Sequence, residues 1–193
     1  MGHYFIFDAS LPPNFQSFTY CFKNLEYSFT ANSGIFSPDH VDPASDLLIH
    51  RVPQLSGSLL DLGCGYGPIG IVLGKAYGLS VTFADINSRA LECAEINCNK
   101  NGIPPNIIQS DAFDSINGCF DTITLNPPIH AGKQLIFKMY EESHSHLNPG
   151  GALYIVIQEK HGAKSSIKKL CQVYGRCDIT YKRKGYYILQ CRV

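Results

Sequence analysis

No run of about 18 apolar residues occurs in the chain, so a transmembrane helix of ordinary length is excluded. The start, Met1-Gly-His-Tyr-Phe-Ile-Phe-Asp8, has no basic stretch before its apolar residues and does not read as a secretory leader. Ile6 breaks the myristoylation pattern that Gly2 would open. A soluble, cytoplasmic protein is expected. Cys-x-x-Cys and His-x-x-x-His spacings are also missing, and the eight cysteines (21, 64, 93, 98, 119, 171, 177 and 191) are scattered through apparent helices and strands. At 193 residues the chain can bury roughly 70% of its unfolded surface without staples. Reduced core thiols and no metal site are therefore expected. With no internal repeat and no low-complexity linker, residues 1–193 read as one domain: a hairpin and lid segment over 1–45, and a catalytic core over 46–193.

Net charge is zero as well, which taken whole argues against a polyanionic partner. Its distribution is lopsided. Up to Glu159, seven Lys/Arg stand against fifteen Asp/Glu, a balance of −8; from Lys160 onward nine stand against one, a balance of +8. Such segregation is either a solvated helix and strand carrying spare lysines or an edge that touches nucleic acid phosphates.

What is present centres on Asp61-Leu-Gly-Cys-Gly-Tyr-Gly-Pro-Ile-Gly70, between the apolar Leu59-Leu60 and a helical pattern through Ile71, Val72 and Leu73. Gly63, Gly65 and Gly67 let the backbone bend tightly and approach a ligand, and Pro68 suits a first helical turn. Gly65-x-Gly67-x-x-Gly70 satisfies a dinucleotide fingerprint, with Asp85 at the end of the next strand-like run to hold a ribose. The rival ligand is S-adenosylmethionine. Asp61 distinguishes the two, because a carboxylate there repels a pyrophosphate but serves a cationic amino acid tail, directly or through water.

Around this loop the chain alternates elements. Aromatic and polar residues alternate over 3–31 (Tyr4, Phe5, Phe7, then Phe18 to Phe29) and turn at Lys23-Asn24, a hairpin pattern. Gly34 to Ser45 is polar and turn-rich, a lid candidate that ends where Ser45 or Asp46 can cap a helix through Leu47, Leu48 and Ile49. After the glycine loop we expect a helix to Tyr77, a strand over 80–85, a helix capped by Asn87 and closed by Asn101-Gly102, and strands over 106–110 and 120–125. A helix over 135–147 stopped by Asn148-Pro-Gly-Gly151, a strand over 152–157, a helix over 163–173 and a closing hairpin about Lys184-Gly185 complete the reading. The predicted fold is α/β: a right-handed, Rossmann-like, mostly parallel sheet with helices on both faces, an antiparallel C-terminal hairpin and a small N-terminal β-hairpin. Asp61, Asp85, Asp111 and Asn126 then stand at the carboxyl ends of four strands, where open parallel sheets bind ligands. Asp85, with Ile86 beside it, is assigned to the donor's ribose hydroxyls, and Asp111 to its adenine amino group with Ala112 or Phe113 next to the ring.

Asn126-Pro127-Pro128 follows its strand directly. Two prolines stiffen the turn and remove its N–H donors, leaving carbonyl oxygens. The Asn126 side-chain oxygen and the Pro127 carbonyl can then accept both hydrogens of a planar amino group, turning its lone pair toward a methyl donor and stabilising the charge that develops. A general base is not required before methyl transfer.

With these residues in view, the chain resembles class I S-adenosylmethionine-dependent methyltransferases. More narrowly it is similar to the ribosomal RNA small-subunit guanine-N2 methyltransferase family, through Asp61 to Gly67, Asp85, Asp111, Asn126-Pro-Pro-Ile-His-Ala-Gly-Lys133 and the stretch Gly34-Ile-Phe-Ser37 leading to Val41-Asp42. The resemblance implies seven strands in the main sheet, S-adenosylmethionine as cofactor, Asn126 with the Pro127 carbonyl as the amine-orienting pair, and ribosomal RNA or the small ribosomal subunit as partner. Ile129 stands where amino-methylating relatives often have an aromatic residue, so base stacking would fall to Phe36 or an N-terminal aromatic. Pro43-Ala44 replaces a glycine after the lid aspartate, and the degenerate second domain of larger relatives is absent. His130 and Lys133 are candidate phosphate or base contacts. Adenine N6, a protein glutamine, a non-catalytic ribosome-assembly module and a nicotinamide oxidoreductase are the alternatives.

Overall fold

The computed structural model describes residues 15–32 and 39–193. Tyr4, Phe5 and Phe7, and the stretch Gly34 to Ser37 with Phe36, lie outside the described residues. Strands β1 (Phe15–Phe22) and β2 (Leu25–Asn32) form an antiparallel hairpin. Its turn is Lys23-Asn24, both at positive φ (50° and 60°), the backbone that lets a two-residue loop follow the strand twist.

The main sheet has seven strands. In chain order they are β3 (Ser58–Leu62), β4 (Ser80–Asp85), β5 (Ile107–Gln109), β6 (Phe120–Leu125), β7 (Leu147–Gln158), β8 (Asp178–Arg183) and β9 (Tyr186–Arg192), and across the sheet they run β5-β4-β3-β6-β7-β9-β8. The first five pair in parallel, and β9 inserts antiparallel between β7 and the edge strand β8. Helices α1 (Pro43–Arg51), α2 (Pro68–Tyr77) and α3 (Ser88–Asn101) contribute Leu48, Ile71 and Cys98 to one apolar cluster; α4 (Lys133–Ser145) and α5 (Ala163–Tyr174) contribute Tyr140 and Leu170 to the other. The pleat divides the strands accordingly: Leu59 and Val156 face the first cluster, Leu60, Leu62 and Ile155 the second. Tyr27 and Phe29 of the hairpin belong to the first cluster, so hairpin and sheet share one core.

Three boundaries differ from expectation. Helix α1 begins at Pro43 and is capped by Asp42, whose carboxylate accepts from the Ser45 N–H at 2.8 Å, rather than by Ser45 or Asp46. Proline at the first helical position is favoured because its missing N–H has no helical partner. The division at 45/46 therefore falls inside a helix. Helix α4 stops at Ser145, and Leu147 already pairs with Phe120; Asn148-Pro-Gly-Gly151 bulges within β7 before Ala152 resumes opposite Thr122. Strand β5 has only three residues, 107–109.

The hairpin is held by amides as well as by its apolar face. Asn97 of α3 accepts from the Thr30 N–H at 2.7 Å and donates to the Thr30 carbonyl at 2.9 Å, while Asn101, one turn on, does the same to Ser28 at 3.1 and 2.9 Å. Two side-chain amides thus stand in for a neighbouring strand along β2. Asn97 also donates to the Tyr66 carbonyl in the glycine loop at 2.9 Å. It is fully buried, so Asn97→Ala would strand three polar groups. At about 1–3 kcal/mol for each unsatisfied group, the loss should be about 3 kcal/mol or more, lowering the thermal midpoint by about 6 to 12 °C. A shift under about 3 °C by circular dichroism would mean that apolar packing alone seats the hairpin.

Candidate functional site

The chain leaves β3 for β4 and β5 on one side, then returns to β6 and β7 on the other, so a crevice opens at the carboxyl ends of β3 and β6. Register aligns its contents. Leu62 lies opposite Ala84 on one side and Leu125 on the other, which puts Gly63, Asp85 and Asn126 at one level past the paired residues. A cavity of about 250 Å³ occupies this place, lined by the glycine loop at Gly63, Cys64 and Gly65, by Asp85, by Asn126 through His130, and by Gln158 and His161 beyond β7.

Glycine is required in the loop for two separate reasons. Gly63 and Gly65 have φ of 66° and 57°, and an added Cβ at either would meet nothing within 4 Å; the backbone is left-handed and its open side faces free space. Gly70 instead lies against the sheet, where a Cβ would come within 2.4 Å of the Phe83 ring. That contact sets how closely α2 packs on β4.

Asp61 sits behind this loop. Its two oxygens accept from the Gly70 N–H at 2.8 Å and the Thr124 hydroxyl at 3.0 Å, which ties α2 to β6. It does not line the cavity, being 1% exposed. Burial pushes its carboxyl up to about 7, against the lowering effect of those two hydrogen bonds. Asp85 does line the cavity; it accepts from the Gly65 N–H at 2.8 Å and the Asn87 N–H at 2.9 Å, and burial raises its pKa while these bonds oppose the rise. Burial likewise holds the Cys64 thiol well above its ordinary value.

Asn126 has a defined direction. Its amide NH2 donates to the Asp42 carboxylate at 2.9 Å and to the Ser45 hydroxyl at 3.0 Å. A carboxylate only accepts, so the nitrogen must face Asp42 and the oxygen the other way. Among the described residues no donor is bonded to that oxygen. Pro127, Pro128 and Ile129 continue the same wall, the last opening a 3₁₀ turn over Ile129–Ala131.

Other expected residues lie apart. Gly67 shapes the helix entry as the left-handed cap of α2 and does not line the cavity. Ile86, 40% exposed, Asp111 and Ala112 also lie outside the cavity lining, beyond the β4 and β5 ends; Ala112 is buried with φ of 48°, an uncommon conformation for a residue with a Cβ. His130 reaches the cavity, whereas Lys133 lies over the Phe137 ring at 5.1 Å. Sequence reasoning missed the tie from Asp42 and Ser45 to Asn126 and the contribution of Gln158 and His161. Asp42-Pro43 carries a helix-start signal, but no local pattern reports a partner 84 residues away.

Electrostatics narrow the ligand class. Asp42 and Asp85 line the cavity, and among the described residues no Lys or Arg does. Two carboxylates without a facing cation repel a pyrophosphate and suit a cation. At the rim, burial and the neighbours Lys160 and His130 lower the His161 pKa.

The methyltransferase small domain family matches residues 26–190. The uncharacterized protein YbxB of Bacillus subtilis is 39% identical over 196 residues, 98% of each chain. Ribosomal RNA small subunit methyltransferase C of Aeromonas hydrophila is 40% identical over 136 residues, covering 68% of this chain and 40% of its own. Among solved structures, the T. thermophilus 16S rRNA N2 G1207 methyltransferase, in complex with AdoMet and guanosine, superposes with a TM-score of 0.83 at 25% identity, over 94% of this chain and 51% of that one. This chain therefore spans about half, or less, of those two rRNA methyltransferases.

The buried Asp61 gives a pH test. Its folded pKa of about 7 exceeds the unfolded value near 3.8, so between those values the folded state keeps a proton that the unfolded state has lost. Its contribution to stability is therefore most favourable below pH 4, declines as pH rises toward 7 and is level above. Asp61→Asn keeps an acceptor for Gly70 and removes the titration. Its stability relative to the native chain should rise between pH 4 and 7 by up to roughly 4 kcal/mol, at about 1.4 kcal/mol per pKa unit. Parallel urea-stability profiles for the two proteins would contradict this account.

Proposed function

The chain belongs to the methyltransferase small domain family, and from that membership we propose that it transfers the methyl group of S-adenosylmethionine to guanine N2 of small-subunit ribosomal RNA. The observation that carries the reading is Asn126, which lines the cavity with its amide nitrogen engaged by Asp42 and Ser45 and its oxygen left to accept.

The residues fit the donor. Gly63 and Gly65 leave backbone room on the cavity side, and the Asp85 carboxylate offers its remaining lone pairs to ribose hydroxyls. The acidic wall favours a molecule with a positive sulfonium and an ammonium tail. When bound, S-adenosylmethionine supplies an electrophilic methyl group. Every other step belongs to the chain. An exocyclic amine conjugated to a purine is a poor nucleophile, because its lone pair is delocalised into the ring. Asn126 Oδ1 and the Pro127 carbonyl accept its two N–H bonds, favour a pyramidal nitrogen and stabilise the positive charge that grows on it, with no reorganisation at the moment of reaction. The stiff Pro127-Pro128 turn holds the two acceptors in place.

Two observations support RNA as the substrate. Exposed Lys160 stands two residues past the rim residue Gln158, and exposed Lys164 and Lys168 follow in α5, a set of cations able to meet phosphates. The structurally similar T. thermophilus enzyme was solved with guanosine bound. Since the acceptor pair reads an NH2 group rather than a whole base, adenine-containing RNA and a glutamine peptide serve as competing substrates.

Purified protein incubated with labelled donor and small-subunit RNA lacking N2-methylguanine should place label on guanine N2. Asn126→Ala should lower kcat by about 10²-fold or more, the effect of deleting one preorganised hydrogen-bond partner, with donor affinity changed less than about threefold. Normal donor binding without transfer to any of the three substrates would overturn the proposal, and label appearing on adenine or glutamine would move it to that acceptor.

A further inference from the structure

We infer that Asp42, assisted by Ser45, is a positioning residue for amine methylation: it sets which end of the Asn126 amide faces the substrate. The inference rests on the reading of Asn126 as an amine acceptor. Its starting point is a chemical ambiguity. The two ends of an asparagine amide are nearly equal in size but opposite in hydrogen-bonding sense, so packing alone does not choose between them. Turned around, Asn126 would present two N–H donors to an amine that is itself a donor, and the site would repel its substrate.

Asp42 resolves the ambiguity. One of its oxygens accepts from both the Ser45 N–H at 2.8 Å and the Asn126 NH2 at 2.9 Å, and the Ser45 hydroxyl accepts the second Asn126 hydrogen at 3.0 Å. Both partners are buried, with 8% and 6% exposure. A flipped amide would set its oxygen against the carboxylate and lose that bond, because Asp42 can only accept, whereas the Ser45 hydroxyl could turn to donate and does not itself choose. A hydrogen bond to a charged acceptor is stronger than one between neutral groups, and the flipped state replaces it with two facing oxygens, so the productive orientation is populated almost alone.

The holder is itself held. Asp42 is the N-cap of α1 with Pro43 behind it, and the Tyr66 hydroxyl of the glycine loop donates to the His40 carbonyl at 3.1 Å. Tyr66 is 3% exposed. The start of α1 is thus fixed on one side by the donor loop and on the other by the acceptor wall, two features joined by no covalent proximity.

The test uses the full chain and two substitutions at position 42. Asp42→Asn keeps a carbonyl oxygen able to cap α1 and to accept from Asn126. Asp42→Ser keeps the cap, since serine is a good N-cap, but its hydroxyl is too short to reach Asn126 as well. With only the Ser45 hydroxyl left, which can pair with either end, the amide samples two flips in up to three χ1 wells, up to about six states of which one is productive. Turnover should fall by up to about sixfold from lost population, and about 10²-fold if the group settles an ångström out of place. In Asp42→Ser, therefore, kcat on RNA should drop by that range while the thermal midpoint stays near native; Asp42→Asn should recover most of the kcat loss, although both variants lack the wall carboxylate and share whatever donor affinity that charge contributes. Retained turnover in Asp42→Ser, or equal losses in both variants, would overturn the inference.

A second readout needs no methyl transfer. The side-chain amide signals of Asn126, identified by their disappearance in Asn126→Ala, should resist solvent exchange in the native chain and in Asp42→Asn, and exchange markedly faster in Asp42→Ser. If the signals behave this way but the native chain methylates nothing, the proposed function fails and the orientation stands. If turnover is normal and the signals exchange freely in the native chain, the orientation fails and the function stands.

Discussion

The structure depends on the parallel pairing of β3 with two partners at once. Leu62 is opposite Ala84 on one side and Leu125 on the other, and because side chains alternate across a strand, a one-residue slip would turn a whole strand inside out. Leu59 and Asp61 would exchange faces with Leu60 and Leu62, sending a buried carboxylate into the apolar cluster under α4 and α5. Register is therefore locked by the core on both faces. The loops that leave β3, β4 and β6 consequently start level, and a glycine turn, an acidic residue and an asparagine meet in one crevice, where the Gly65 N–H then bonds the Asp85 carboxylate.

Asp61 shows what that arrangement costs and returns. A carboxylate with no facing cation is unfavourable inside a protein, and burial raises its pKa to about 7. What it returns is a bond to the first turn of α2 and another to β6. The helix N-terminus carries partial positive charge and unpaired N–H groups, so an acceptor placed at Gly70 answers a need that water would otherwise meet. Where it is ionised, above about pH 7, the same carboxyl adds to the negative field of Asp42 and Asp85. That field separates a sulfonium ligand from a pyrophosphate more firmly than the glycine spacing, which both ligand classes share.

Local signals in the sequence foretold most of the fold. The turns at Lys23-Asn24 and Lys184-Gly185, the Asn87 cap and the Gly102 stop all act within a few residues, and all stand where the pattern puts them. Errors arose where two local signals competed. At the start of α1, Ser45 and Asp46 are good caps, but Asp42 followed by proline is better. Near 147, a helix-ending Asn-Pro-Gly-Gly is in fact a bulge inside a strand, since Leu147 pairs with Phe120 before the interruption. In the site, the glycine loop, Asp85 and Asn126 were legible because each follows a strand. The tie between Asp42 and Asn126 was not, and neither was that between Asn97 and Thr30, because hydrogen bonds between distant residues leave no periodicity to read.

These distant bonds share a design. Asn97 joins β2 to the Tyr66 carbonyl, the Tyr66 hydroxyl joins the same loop to His40, and two residues on Asp42 joins the start of α1 to Asn126. Polar groups buried in this way are costly if left unpaired and directional when paired. Each therefore fixes an angle as well as a distance, which apolar packing cannot do. Leucine and valine set where the walls of the crevice stand; the amides and carboxylates set which way its reactive groups point. A hairpin that never touches the cavity can in this way affect its chemistry, because the loop it steadies also anchors the residue that aims the asparagine.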